Sequence, residues 1–244
     1  MENRTKAVKE LFENTALYLT YDYNLQIRKE TVEAFTSGMK FHSVLDVPCG
    51  TGQISIPLLD RTEKLTLIDI SSNMLAIAKK AIPGNLSGKV ELINGDFFKM
   101  EFQKESYDLV ICLGLLAHVN SPKDLLEKIS SLVKPGGSLI IQNTDSSHFY
   151  SHLIRLYLGM KNILRKQPYK LNKVNAEFLE ATLAEYKFEL KKCFRYNQSF
   201  LGFSNLFSNK RKYSLTRNFF GDAENNKHAS WGSDSTYLFK KKIV

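Results

Sequence analysis

Ser43-Val44-Leu45-Asp46-Val47-Pro48-Cys49-Gly50-Thr51-Gly52-Gln53 is the stretch from which the fold is read. A short apolar run ends in an acid, turns through two glycines and enters a further apolar segment. That order predicts a buried strand, a tight turn and the start of a helix over Gln53 to Leu59, with Pro57 in its tolerated early position. Glycine at the turn permits positive φ and a close approach of backbone to a ligand. An acid at the strand's end can hold a polar cofactor at the carboxyl edge of a parallel sheet.

Downstream, strand and helix signals alternate. Lys64-Leu65-Thr66-Leu67-Ile68-Asp69 is a second strand ending in an acid, and Ser71-Ser72-Asn73 offers N-caps for a helix to about Ala81. Val90 to Asn94 is a third strand, followed by Gly95-Asp96-Phe97. Tyr107 to Cys112 is a fourth, followed by Leu113-Gly114. Ser121-Pro122 opens a helix to about Val133, and Lys134-Pro135-Gly136-Gly137 turns into a fifth strand, Ser138 to Gln142. Five alternations with continuous apolar strands predict an α/β fold with a doubly wound, mostly parallel sheet. Upstream, helices are expected over residues 4–19 and Leu25 to Thr36, joined by a tyrosine-rich link that would suit a lid. Later strands are expected over Lys187 to Phe194 and Ser235 to Lys241, and a helix over Asn175 to Ala184.

Asp46, Asp69 and Asp96 each follow a strand end, so in a parallel sheet they line one crevice. Helix capping could explain any one of them, but less readily all three. With these motifs in order, residues 40–145 resemble the class I S-adenosylmethionine-dependent methyltransferases of the small-molecule type. Leu45 to Gly52 resembles that family's first motif, Asp69 its ribose acid, and Asn94-Gly95-Asp96-Phe97 its adenine-binding segment. Tyr107 to Val110 and Val133 to Gly137 match its fourth and fifth strand signatures. The first motif departs at Pro48, where the family commonly has Gly and where a backbone N–H donor is lost.

The resemblance implies a seven-stranded Rossmann-like sheet and S-adenosyl-L-methionine as cofactor. It implies cofactor-binding roles for Asp46, Cys49, Gly50, Thr51, Gly52, Gln53, Asp69, Ile70, Met74, Asp96, Phe97 and Leu113, with Tyr23 and Arg28 contributing from the N-terminal helices. For Met74 a core position is an equal alternative. Methyl transfer needs alignment in a dry pocket, and a base only if the acceptor arrives protonated. His118 is the best-placed candidate base, with contact to the cofactor or the start of the next helix as the alternative. Asp145 and Tyr21 are weaker catalytic candidates. His148 and His152 have no metal-ligand spacing, and no metal is expected.

One 244-residue domain is expected: N-terminal helices over 1–40, a cofactor-binding core over 41–146, a substrate cap and the end of the sheet over 147–230, and a final strand over 231–244. Three scattered cysteines suggest free thiols and a reducing compartment. The absence of a signal-type core or a ~20-residue apolar run predicts a soluble, cytoplasmic protein. Charge is uneven, with 16 Lys+Arg against 18 Asp+Glu over 1–150, and 18 against 7 over 151–244. The basic second part would attract an anionic partner or form a solvated face. The aromatic residues of 196–220 could wall a ring-bearing acceptor.

The expected partner is therefore a small-molecule acceptor, anionic or aromatic, methylated on oxygen or nitrogen. A nucleic-acid or protein substrate is the runner-up. It is disfavoured because Cys112-Leu113-Gly114 lacks the Asn/Asp-Pro-Pro-aromatic pattern of enzymes that methylate base amines. A non-catalytic cofactor-binding protein is a third reading. A nicotinamide dehydrogenase is disfavoured because Ser55 stands where G-x-G-x-x-G needs its last glycine.

Overall fold

The computed structural model describes residues 2–13, 22–161, 171–172, 174–199 and 207–243. Seven strands form one sheet in the order β3-β2-β1-β4-β5-β7-β6. They are β1 (Phe41–Asp46), β2 (Thr62–Asp69), β3 (Val90–Asn94), β4 (Tyr107–Cys112), β5 (Val133–Thr144), β6 (Phe188–Tyr196) and β7 (Asp234–Lys241). The first five are parallel, and β7 inserts antiparallel between β5 and β6. The chain winds from β1 out to β3 and returns to β4. The carboxyl ends of β1 and β4 therefore flank the point where strand order reverses, where ligands bind in such sheets.

Alternation along the strands divides the core into two layers. Val44, Leu67, Leu109, Ile111, Ile140 and Leu238 pack on one face, and Leu45, Ile68, Val110, Cys112, Leu139 and Ile141 on the other. Both faces are covered, which is why the central strands read as unbroken apolar runs. The first face carries α2 (Asp22–Phe35) through Ile27, Val32 and Phe35. The second carries α4 (Pro122–Leu132) and α6 (Ala176–Glu185) through Leu125, Ile129, Leu179 and Leu183.

Helix starts follow their caps. Ser71 Oγ accepts from Met74 N at α3 (Ser72–Ala81), Ser121 Oγ from Asp124 N at α4, and Asn175 Oδ1 from Phe178 N at α6, at 3.2, 3.2 and 2.8 Å. Two further helices are α1 (Glu2–Glu13) and α5 (Phe149–Lys161).

Two local expectations are corrected. The segment after the glycine turn is a short 3-10 helix, Ile56–Arg61, because β2 begins at Thr62 and leaves only six residues for it. Within the aromatic stretch, Asn209–Phe220 forms a helix, α7, capped by Ser208 and ended by Gly221 at φ 73°. It packs on α2, where Glu30 accepts from the Tyr213 hydroxyl and pairs with Arg217.

Candidate active site

The glycine turn is pinned to both neighbouring strands. Val47 N donates to Ile111 O of β4 and Cys49 N to Ile68 O of β2, each at 2.9 Å. Pro48 lies between them, joined to Val47 by a cis peptide. Gly50 and Gly52 have φ of 52° and 72°, a region other residues rarely adopt. A Cβ on Gly52 would come within 2.5 Å of Ile56 Cδ1, so a larger residue would displace that side chain as well as strain the backbone.

Asp69 ends β2 almost fully buried. Its Oδ2 accepts from Gly50 N and its Oδ1 from Ser71 N, both at 2.8 Å. Burial raises its pKa and these amides oppose the rise. Each oxygen keeps a second acceptor position, and the side chain lines the cleft. Asp96 sits after β3 with Oδ1 accepting from Phe98 N at 3.0 Å, on the wall of the same cleft. Between the two acids lie Val47, Ile70, Phe97 and Leu115, an apolar slot for a flat ring. Toward β4 the cleft continues past Gly50, Met74, Leu113 and Gly114 to Arg28.

Helix α1 lies across this cleft, contributing Arg4, Thr5, Val8 and Phe12 to its lining. Arg4 donates to the carbonyls of His118 and Ala117 and to Asn172 Oδ1, at 3.0, 3.1 and 3.3 Å. At the other end, Glu13 accepts from Ser71 Oγ and Ser72 N at 3.2 Å, at the start of α3. An anionic group there meets the positive end of the helix dipole. No single motif signals these cleft residues, because their partners are distant in the chain, those of Arg4 by more than a hundred residues; the amphipathic pattern of α1 was the available hint.

His118 follows β4 and lines the cleft, its ring edge-on to Phe12 at 5.3 Å. Burial, reinforced by the nearby Arg4 and Arg28 charges, pushes its pKa down to about 4. The imidazole is therefore neutral at physiological pH.

Of the residues singled out from sequence, Arg28, Gly50, Asp69, Ile70, Met74, Asp96, Phe97, Leu113 and His118 line this cleft. Asp46, Cys49, Thr51, Gly52 and Gln53 belong to the turn itself and are not on the cleft wall. Asp46 is buried, accepts from Ser55 Oγ at 2.6 Å, and has its pKa raised by burial to about 7. Burial likewise pushes the Cys49 thiol up. Tyr23, in the first turn of α2, is buried in the core, its hydroxyl donating to Gln198 O. Asp145 Oδ1 accepts from Ser147 N and Oγ at 3.0 and 2.7 Å, ahead of α5. Tyr21 lies outside the described residues.

A second cleft opens from the first at Arg28, Gly114 and His118 and runs under the end of β5, past Gln142 and Thr144. It leads to a cavity of about 650 Å³ between the sheet edge and α5, lined by Tyr150, Ile154, Arg155 and Leu171 among others. The described aromatics of 196–220 do not line it: Tyr196 and Phe220 are core residues and Tyr213 is bonded to Glu30. Among the described residues no group of His, Cys, Asp and Glu could hold a metal, and no helix is long and apolar enough to cross a membrane.

Residues 44–137 match the family described as a methyltransferase domain. Over this segment the chain is similar to methyltransferase domains. Its methyl donor is S-adenosylmethionine, and the two acids, the glycine turn and the apolar slot fit that cofactor's hydroxyls, amine and ring. Demethylmenaquinone methyltransferase of Oceanobacillus iheyensis is 29% identical to this chain over 174 residues, 66% of this chain and 72% of that one. The mitochondrial ubiquinone biosynthesis O-methyltransferase of Schizosaccharomyces pombe is 30% identical over 51% of this chain and 45% of its own. In most of the curated relatives the match spans about half of their length. In fold, this chain is similar to the magnesium protoporphyrin IX methyltransferase of Synechocystis with bound S-adenosylhomocysteine. The TM-score is 0.64 at 14% identity, covering 98% of this chain and 100% of that one.

Proposed function

We propose that the protein transfers the methyl of S-adenosylmethionine to an oxygen or nitrogen of a small-molecule acceptor seated in the cleft under β5. The observation that carries this reading is the junction of the two clefts at Arg28, Gly114 and His118. A molecule in the outer cavity can reach through it to whatever lies beside Gly50 and Leu113. The cavity volume suits an acceptor of drug-like size. The relatives named for quinone precursors favour a small acceptor over a macromolecular one.

When bound, S-adenosylmethionine supplies an electrophilic methyl, and the chain's task is to bind, align and keep water out. Asp69 would accept from the ribose hydroxyls and Asp96 from the adenine amine, with Ile70, Phe97 and Met74 lining the space for the ring and ribose. Asp46 organises the turn through Ser55. Val8 and Phe12 of α1 cover the cleft. Leu113 and Gly114 form the wall beside the transfer point, and Gly114, at φ 83°, leaves that wall without a side chain. Arg28 stands at the junction, in reach of a cofactor carboxylate on one side and of the acceptor on the other.

The test is calorimetry with S-adenosylhomocysteine, then incubation with methyl-labelled cofactor and fractionated cell extract. Binding with label appearing in a low-mass product is expected. No cofactor binding, or label confined to protein or nucleic acid, would overturn the reading.

A further inference from the structure

The second cleft has an uneven supply of hydrogen-bonding groups. Most polar side chains around it are used inside the protein. Asn143 Nδ2 donates to Val174 O, Asn172 Nδ2 to the carbonyls of Leu116 and Val119, and Thr144 Oγ1 to Asp234. Gln142 differs: it is 3% exposed, and neither its Nε2 nor its Oε1 has a hydrogen-bond partner. Arg28 donates through Nη2 to Gln198 Oε1 at 3.1 Å, but its Nε is also buried without a partner. Arg28 and Gln142 both lie beside the buried Tyr196 hydroxyl, near enough to interact with it but not in hydrogen-bonding position. Native proteins rarely leave such groups unpaired, and Gln142 and Arg28, which line the cleft, are the two that a ligand there would complete.

The charge at that wall indicates what the ligand is. Among the described lining residues of the second cleft, Arg28 is the one formal charge, and no acid is present. In the adjoining cavity Asp234 is buried and accepts from Gln198 N, Thr144 Oγ1 and Ser233 Oγ, while Arg155 adds another cation. A guanidinium beside an amide donor is a match for an oxyanion. A protonated amine there would face the Arg28 cation, and the nearest acid, Asp234, is buried with its oxygens already accepting from three donors.

We propose that Gln142 and Arg28 form the acceptor subsite for an ionised oxygen acid: a carboxylate, or an acidic phenol or enol beside a carbonyl. This rests on the methyltransferase reading above and narrows it to oxygen. The acceptor oxygen's electron pair forms the new bond to the methyl carbon, and the methyl–sulfur bond breaks with its pair left on sulfur. Oxyanion and sulfonium charges are both discharged, and no proton is transferred. A general base is then unnecessary, in keeping with a His118 ring held neutral and weakly basic.

The probes are salicylate, benzyl alcohol and benzylamine, similar in size and differing in charge. Each is titrated by ligand-observed NMR against the protein saturated with S-adenosylhomocysteine. Salicylate is expected to bind at least fivefold tighter than either of the others. Gln142→Leu should weaken salicylate about fivefold and raise Tm by a few degrees, because an unpaired buried amide is removed. Gln142→Glu should weaken it more than Gln142→Leu, through like-charge repulsion. S-Adenosylhomocysteine affinity, unchanged in these variants, reports that they are folded, and Gln142→Asn provides a milder change should either fail to fold. Benzylamine binding as tightly as salicylate, or salicylate binding indifferent to all three substitutions, would overturn the proposal and leave the methyltransferase reading standing. Failure of the wild-type protein to bind S-adenosylhomocysteine would overturn both.

Discussion

The Gly50 amide donates to Asp69 Oδ2 across 2.8 Å, tying the glycine turn after β1 to the acid that ends β2. One carboxylate thus holds the turn in shape while facing the cleft. Asp69→Ala removes that tie together with two acceptors for ribose hydroxyls. It should weaken S-adenosylhomocysteine binding by about 1–3 kcal/mol, roughly 5- to 150-fold. Asp69→Asn should weaken it less, since one oxygen acceptor remains. Calorimetry giving wild-type affinity for Asp69→Ala would remove Asp69 from the ribose role.

His118 should behave as a binding residue. Its folded pKa of about 4 lies below the ordinary histidine value. The rate should therefore have no limb near pH 6.5 that disappears in His118→Asn. That variant should lose cofactor affinity through the Phe12 contact more than it loses turnover. A hundredfold loss of kcat at constant affinity would assign His118 as the base. The sign for stability follows from the same depression. Between pH 6.5 and 4 the unfolded chain takes up a proton that the folded chain refuses, so His118 lowers stability as pH falls through that window. His118→Asn should flatten this part of a Tm-against-pH curve.

The sheet was legible because its physics is local. Val44-Leu45, Leu67-Ile68 and Leu109 to Cys112 send alternate side chains to two covered faces, so each strand announces itself as an apolar run. The acids at 69 and 96 were readable for the same reason, as polar residues at the ends of those runs. What was not legible depends on distant partners. Arg4 finds the carbonyls of residues 117 and 118, and Gln142 is notable only because nothing satisfies it. The basic, aromatic spacing of α7 hid a helix whose apolar side is narrow and whose packing on α2 runs through Glu30. The 3-10 turn at Ile56–Arg61 reflects where β2 begins, which local propensity does not set.

Arg4 should control how long the cofactor stays bound. Its three bonds to the segment after β4 and to Asn172 fasten the N-terminal end of α1 over the cleft. Arg4→Ala leaves the sheet intact and loosens that cover. Stopped-flow displacement should show S-adenosylhomocysteine leaving about 5- to 50-fold faster, equivalent to about 1–2 kcal/mol for lost charge-assisted bonds. Tm without cofactor should change little. An unchanged dissociation rate would mean that α1 does not act as the cover.

Asp46 offers a test that separates the turn's scaffold from its ligand contacts. The carboxyl is buried, with the Ser55 hydroxyl donating to it, and burial raises its pKa to about 7. Its folded pKa exceeds the unfolded value, so the folded chain holds a proton that the unfolded chain releases. The resulting stability is fully present below about pH 4 and is lost as pH rises through about 7. Asparagine imitates the protonated acid and cannot ionise. Asp46→Asn should therefore match the wild type near pH 4 and gain in relative Tm from there to pH 7–8. If Asp46 instead meets the cofactor's ammonium, cofactor saturation should reverse that gain, because the charged carboxylate would then have a partner. A Tm difference independent of pH, with or without S-adenosylhomocysteine, would mean that Asp46 keeps the same charge in the folded and unfolded chains.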